Sequence, residues 1–157
     1  MRIVAVSDTH GRSSVIEDVF SKYSDADLFL HLGDGLFELG LIKKMHPGIP
    51  VLSVRGNCDA GSKEPLEMVF EEKGRTLFMT HGHRYWVKSG LSDLEERAHE
   101  AGASTVFFGH THEPLCLYRD GIWYLNPGSA GIPEDGIPKT AVLDITESGM
   151  FGFLDPI

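Results

Sequence analysis

Five short apolar runs in this chain each stop on glycine beside a carboxylate, an amide or an imidazole. "RIVAV" runs into "SDTHG", "DLFLHL" into "GDG", "VLSVR" into "GNCD", "TLFMT" into "HGH" and "STVFF" into "GHTH". Runs this short, rich in Val, Ile, Leu and Phe, suit buried strands better than helices. A strand that ends in glycine and a ligating side chain places chemistry at its carboxyl end. In open α/β sheets those ends line the ligand crevice. Asp8 and His10, Asp34, Asn57, His81, and His110 with His112 are therefore expected to converge, although five separate segments carry them. His110 and His112 alternate as strand side chains do, which predicts that both project to one side of their strand end.

Helical patterns separate the first three runs. Val15, Ile16, Val19, Phe20 and Tyr23 make one apolar face behind a capping box of Ser14 and Glu17, and residues 36 to 45 form a second helical stretch before Pro50 opens the third strand. Strand and helix in alternation imply βαβ units and a parallel sheet. From about residue 65 the pattern becomes hairpins. Lys73-Gly74 joins "LEMVFEE" to "TLFMTH", and Asp120-Gly121 joins "PLCLYR" to "IWYL". A further helix, capped by Ser92 and Glu95 and stopped at Gly102, lies between them, and "TAVLDIT" supplies a late strand. The one long irregular segment is "NPGSAGIPEDGIP", residues 126 to 138.

The 157 residues, 41% hydrophobic and 24% charged, fit a single domain spanning 1–157. A formal charge of -9 excludes a broad basic surface for nucleic acid, so an anionic substrate must be attracted locally. Cys58 and Cys116 lack CxxC spacing and imply no disulfide framework, which suits a reducing cytoplasm. A strand-like run from residue 2 leaves no place for a signal peptide, and no apolar stretch approaches the roughly 20 residues a membrane span needs.

Two carboxylates, an amide and four imidazoles form a mixed oxygen and nitrogen ligand set, suited to Mn, Fe, Zn, Ni or Co and unlike a thiolate-rich structural zinc knot. Seven ligands exceed what one ion takes. If Asp34 bridges, two ions each receive four protein ligands. Two divalent ions, less the charges of Asp8, Asp34 and a bridging hydroxide, leave one positive charge, which matches a phosphodiester anion. A third carboxylate in place of Asn57 would cancel it. Glycines 11, 33, 35, 56, 82 and 109 permit the tight turns that aim their neighbours inward.

The ordered set "DTH", "GD", "GNCD", "HGH" and "GHTH" resembles the calcineurin-like metallophosphoesterase superfamily, in particular its small bacterial and archaeal phosphodiesterases, from residue 4 to about 145. The resemblance implies a four-layer αββα sandwich, with two mixed β-sheets face to face and helices outside. It implies one metal on Asp8, His10, Asp34 and His112 and a second on Asp34, Asn57, His81 and His110. Manganese, common among similar proteins, is the first expectation. The chemistry implied is hydrolysis of a small phosphodiester by in-line attack of a metal-bridging hydroxide, the two ions about 3.5 to 4 Å apart. Asn57 would stabilise charge on a phosphoryl oxygen in the transition state. A phosphomonoesterase on the same site is the nearest alternative. A non-catalytic interaction scaffold of the same fold, as in a retromer coat subunit with an impaired metal site, is the other.

Two departures stand out. Larger members of the superfamily place a histidine after the Asn as a proposed acid for the leaving group, whereas this chain has Cys58. Beside two cations that thiol is expected to be depressed in pKa, a poor proton donor and a weak ligand, with His83 or metal-bound water as alternative donors. Relatives also place an arginine soon after "NPGS", where this chain has Glu134 and Asp135. No substrate-binding residue is assigned. His31 reads as a hydrogen-bonded core or orienting histidine. His46 and His99 read as solvent residues, and "RYWVKSG" as packing. Asp59 is either an orienting group for Asn57 or Cys58 or an Asx turn, and Cys116 is a buried small hydrophobe.

Overall fold

A computed structural model describes residues 1–134 and 136–157, so Asp135 lies outside the described residues. The elements follow in the order β1 (Arg2–Val6), α1 (Ser13–Lys22), β2 (Leu28–His31), α2 (Leu36–Met45), β3 (Val51–Ser53), β4 (Glu67–Glu72), β5 (Arg75–Thr80), α3 (Ser92–Glu100), β6 (Thr105–Phe107), β7 (Leu115–Arg119), β8 (Ile122–Asn126), β9 (Lys139–Thr146) and β10 (Gly149–Pro156), with a 3₁₀ turn at His83–Tyr85. They build two mixed five-stranded sheets, ordered β10-β9-β1-β2-β3 and β4-β5-β6-β8-β7. β1, β2 and β3 are parallel, as the βαβ alternation requires, and β9 closes antiparallel on β1.

Side-chain alternation along the strands sorts the apolar residues into layers. Ile3 and Ala5 of β1 join Leu77 and Met79 of β5, Phe107 and Leu125 in the core between the sheets. Val4 points the other way, onto Ile16, Val19 and Phe20 of α1 and Leu39 and Ile42 of α2. On the far side, Phe78, Val106 and Tyr124 pack under Leu94 and Ala98 of α3. The result is the expected αββα order. Both hairpins form where glycine marks them: Lys73 and Gly74 have φ of 51° and 71°, Asp120 and Gly121 51° and 83°. Two successive left-handed residues are what a type I′ turn demands.

Three local expectations fail. Neither capping box forms, because each helix starts a residue or more early. Arg12 and Leu91 occupy the N-cap positions without side-chain caps, and Glu95 is instead taken by Arg119 of β7 at 2.7 Å. Strand β10 went unread because Gly149, Gly152 and Pro156 break its β-propensity. It pairs with β9 along its whole length, and Gly152 is there for space: a Cβ would meet Leu125 and Trp123 side-chain carbons at 2.9 and 3.0 Å. Cys116 is exposed, not buried, with its thiol toward the Gly152 carbonyl at 3.4 Å. Among the described residues no helix is long and apolar enough to cross a membrane.

Candidate metal centre

The carboxyl ends of β1, β2, β5 and β6 meet at one edge of the sandwich, stitched by backbone bonds beyond the strands. Asp8 N–H donates to the Gly33 carbonyl at 3.0 Å and His10 N–H to the Asp34 carbonyl at 3.1 Å; in the second sheet Gly109 N–H donates to the His81 carbonyl at 3.1 Å. The sheets are tied to each other by His110 N–H on Asp8 Oδ2 at 3.1 Å. Asp8, His10, Asp34, His110 and His112 all adopt positive φ, between 42° and 68°. Such backbone is costly for residues with a side chain and collects at functional sites. It also corrects the strand-like picture of His110 and His112: both lie past the end of β6, and left-handed turns rather than pleat alternation aim them.

The seven candidate residues come together. His112 Nε2 lies 3.2 Å and His10 Nε2 3.7 Å from Asp8 Oδ1, and the two imidazole nitrogens are 3.3 Å apart. His81 Nε2 lies 3.4 Å from Asp34 Oδ2, 4.0 Å from Asp8 Oδ1 and 3.2 Å from Asn57 Oδ1. The His110 ring adjoins that of His81, centroids 5.0 Å apart. Asp34 belongs to two groups whose donor atoms all lie within 4.8 Å of one another, one with Asp8 and His81 and the other with His10 and Cys58.

The donor set fits cations on a test independent of the motifs. Asp8 is fully buried, and its Oδ2 accepts from Ser7 Oγ at 2.5 Å and from His110 N–H. Its Oδ1, facing the imidazoles, has no hydrogen-bond partner. A buried carboxylate oxygen without a partner is expensive unless a cation meets it. His81 Nδ1–H donates to the Leu32 carbonyl at 2.8 Å, which leaves Nε2 for the cluster.

The protein's own charges shape the site. Burial opposes ionisation of Asp34, but the hydrogen bond and charge of His81 and the Cys58 N–H hold its carboxyl well below the usual range. Burial likewise works against the His81 imidazolium, and Asp34 and Asp8 outweigh it and raise its pKa. His110 is pushed down to about 4 by burial and then by His81. The carboxylates that hold a proton on His81 would equally hold a dication, so cation binding displaces that proton. Cys58 lies exposed at the edge of the site. With only the protein's own groups around it, its thiol is pushed up to about 11, first by its hydrogen bond with Asp34, then by partial burial and the charges of Asp34, Asp59 and Asp8; two cations in the basket would pull the other way. His83 is half-buried with an unpartnered Nδ1, its ring 5.4 Å from that of His81.

Several supporting residues escaped sequence reading. Asp59 is neither an Asx turn alone nor a guide for Cys58. Its two oxygens accept the N–H groups of Asp34, Gly35, Leu36 and Gly56 at 2.7 to 3.0 Å, gripping the Asp34 loop and the start of α2. Glu38, buried on α2, accepts from Thr9 Oγ1 and from Gly11 N–H. His31 fulfils its core role, with Nε2 3.3 Å from Thr9 Oγ1 and a pKa lowered to about 4 by burial. Asn126 and Ser129, at the start of the irregular segment, act as a brace. Asn126 donates to the Gly109 carbonyl and Thr111 Oγ1, and Ser129 Oγ to the Asp8 carbonyl at 2.8 Å. Two glycines are needed for close approach: a Cβ at Gly56 would lie 2.0 Å from Asp34 Oδ1, and one at Gly109 2.0 Å from Ser7 Oγ.

The profile described as the calcineurin-like phosphoesterase superfamily domain matches residues 1–148. The chain belongs to that superfamily. It is 31% identical over 136 residues to the probable metallophosphoesterase YsnB of Bacillus subtilis, covering 85% of this chain and 78% of that one. It is 30% identical over 164 residues to the phosphodiesterase YfcE of Escherichia coli, covering 89% and 85%. Among solved structures, wild-type Vps29 of Entamoeba histolytica in complex with zinc superposes with a TM-score of 0.78 at 19% identity, covering 100% and 98%, a likeness of fold alone. Membership of the superfamily makes the site a place for divalent metal ions and the chain a hydrolase of phosphoric esters.

Proposed function

We propose that the chain is a dinuclear phosphodiesterase, with Asp8, His10, Asp34 and His112 around one divalent ion and Asp34, Asn57, His81 and His110 around the other. The observation that carries this is the double membership of Asp34, within reach of His10 on one side and of His81 on the other. Two ions so held would supply Lewis-acid activation of water and of the phosphoryl group. The chain's own residues do the rest. Asp8 and Asp34 set the charge of the basket, and Asn57, whose side-chain N–H donates to Cys58 Sγ at 3.3 Å, can turn that N–H to a phosphoryl oxygen. Manganese is the first ion to test, since carboxylate and imidazole donors suit it. Two free thiols support a reducing, cytoplasmic setting.

The test is hydrolysis of bis(p-nitrophenyl) phosphate against p-nitrophenyl phosphate with Mn added. The diester is expected to be preferred, and His81→Ala to lose one ion per chain along with turnover. A preference for the monoester would replace the reading by its nearest alternative. Ions bound without turnover of either ester would favour a scaffold of the same fold, against which the complete ligand set argues.

Position 58 yields a second expectation. A thiol with a raised pKa is a weak acid, and burial disfavours the protonated form of His83, so neither readily gives a proton to a departing alkoxide. Across a series of diesters, rates are expected to rise steeply as the leaving-group pKa falls; a flat dependence would require an acid other than these.

A further inference from the structure

Beside the basket lies a cleft of about 470 Å³, whose lining includes His10, Asp34 and Cys58 together with Leu36, Phe37 and Ala60. That volume lies within the range of small-ligand sites, roughly 300–1,000 Å³. Phe37, in the first turn of α2, is 78% exposed at its mouth. An aromatic ring held on a helix and facing water next to a reaction centre is a platform without a partner. Of the three carboxylates lining it, Glu38 and Asp59 are already engaged by backbone N–H groups and Asp34 belongs to the basket. Among the described residues lining the cleft there is no lysine or arginine. Arg55, Arg84 and Lys88 act instead on His83 and His110, which do not line the cleft.

A second phosphate on the substrate would therefore meet no countercharge here, whereas a neutral flat group would meet a ring. We propose that the cleft takes the base of a nucleoside phosphodiester, stacked on Phe37, so that Phe37 sets specificity between nucleoside and simple alkyl diesters. This rests on the phosphodiesterase reading above and names its substrate class.

Thymidine 5′-(p-nitrophenyl phosphate) and methyl p-nitrophenyl phosphate share a leaving group, so the ratio of their kcat/KM values reports the retained group alone. The wild type is expected to favour the nucleoside ester by about tenfold or more, as one stacked base allows. Phe37→Ala and Phe37→Leu should bring that ratio toward one, while Phe37→Tyr, which keeps the ring, should preserve it. A ratio unchanged in Phe37→Ala overturns the assignment. An equal fall on both esters also overturns it, because the p-nitrophenyl group would then be the one on the ring. Wild-type inactivity on both esters, distinguishable from either result, would remove the diesterase reading itself and this inference with it.

Discussion

Asp34→Asn is expected to reduce diester turnover by on the order of 10³-fold or more, and to lower bound metal from two ions per chain to one at most. Removing a single donor that stabilises transition-state charge costs about 10²–10³-fold in other hydrolases, and Asp34 serves both halves of the site at once. Asparagine is the informative replacement because it isolates charge from shape. Its carbonyl can still accept the Cys58 N–H that Asp34 Oδ1 accepts at 2.8 Å. Its backbone tolerates the left-handed conformation, φ 56°, better than most residues. The fold should therefore survive, checked by circular dichroism and a thermal melt. What is lost is one negative charge and the second oxygen, which lies 3.4 Å from His81 Nε2. Metal analysis beside initial rates decides the matter: two ions and near-normal rates in the variant would show that Asp34 bridges nothing.

The residues that such experiments probe were readable in the sequence because ligand chemistry leaves few choices of side chain. Asp8, His10, Asp34, His81, His110 and His112 each stand next to a glycine or at a strand end, and the family resemblance fixed their order. The sandwich was readable for a related reason, since near-continuous apolar strands such as "RIVAV" and "TLFMT" declare two buried faces. What stayed hidden depends on long-range backbone partners. Ser129 acts by reaching the Asp8 carbonyl across 121 positions, and Asn126 by holding the loop that carries His110. Neither has a local signature beyond a turn. Strand β10 hid behind its glycines because its pairing is dictated by β9 and by the tight space near Leu125. Asp34 and Asp8, which help raise the Cys58 thiol, come from other loops and leave no mark near residue 58.

Asp59 offers the sharpest separation of support from chemistry. It touches none of the imidazoles, yet Oδ2 accepts the N–H groups of Asp34 and Gly56, and Oδ1 those of Gly35 and Leu36. It thus caps α2 from a distance and fixes the backbone that presents Asp34. Asp59→Ala leaves four N–H groups in search of partners at a part-buried site. Hydrogen bonds to a charged acceptor contribute about 1.5–3 kcal/mol each when measured singly; with water replacing some of them, a net loss of about 3 kcal/mol is expected in urea unfolding of the metal-free protein. Loss of an orienting partner typically weakens metal binding by about 10–100-fold, so the Mn needed for half-maximal rate should rise by that factor. At saturating Mn the rate should recover most of its wild-type value, which no direct ligand's variant can do. Asp59→Asn should not rescue, because its NH₂ would face two donors where an oxygen now accepts both. An unchanged unfolding midpoint in Asp59→Ala, or a rate that stays low at saturating Mn, would place Asp59 among the reacting groups or outside the site altogether.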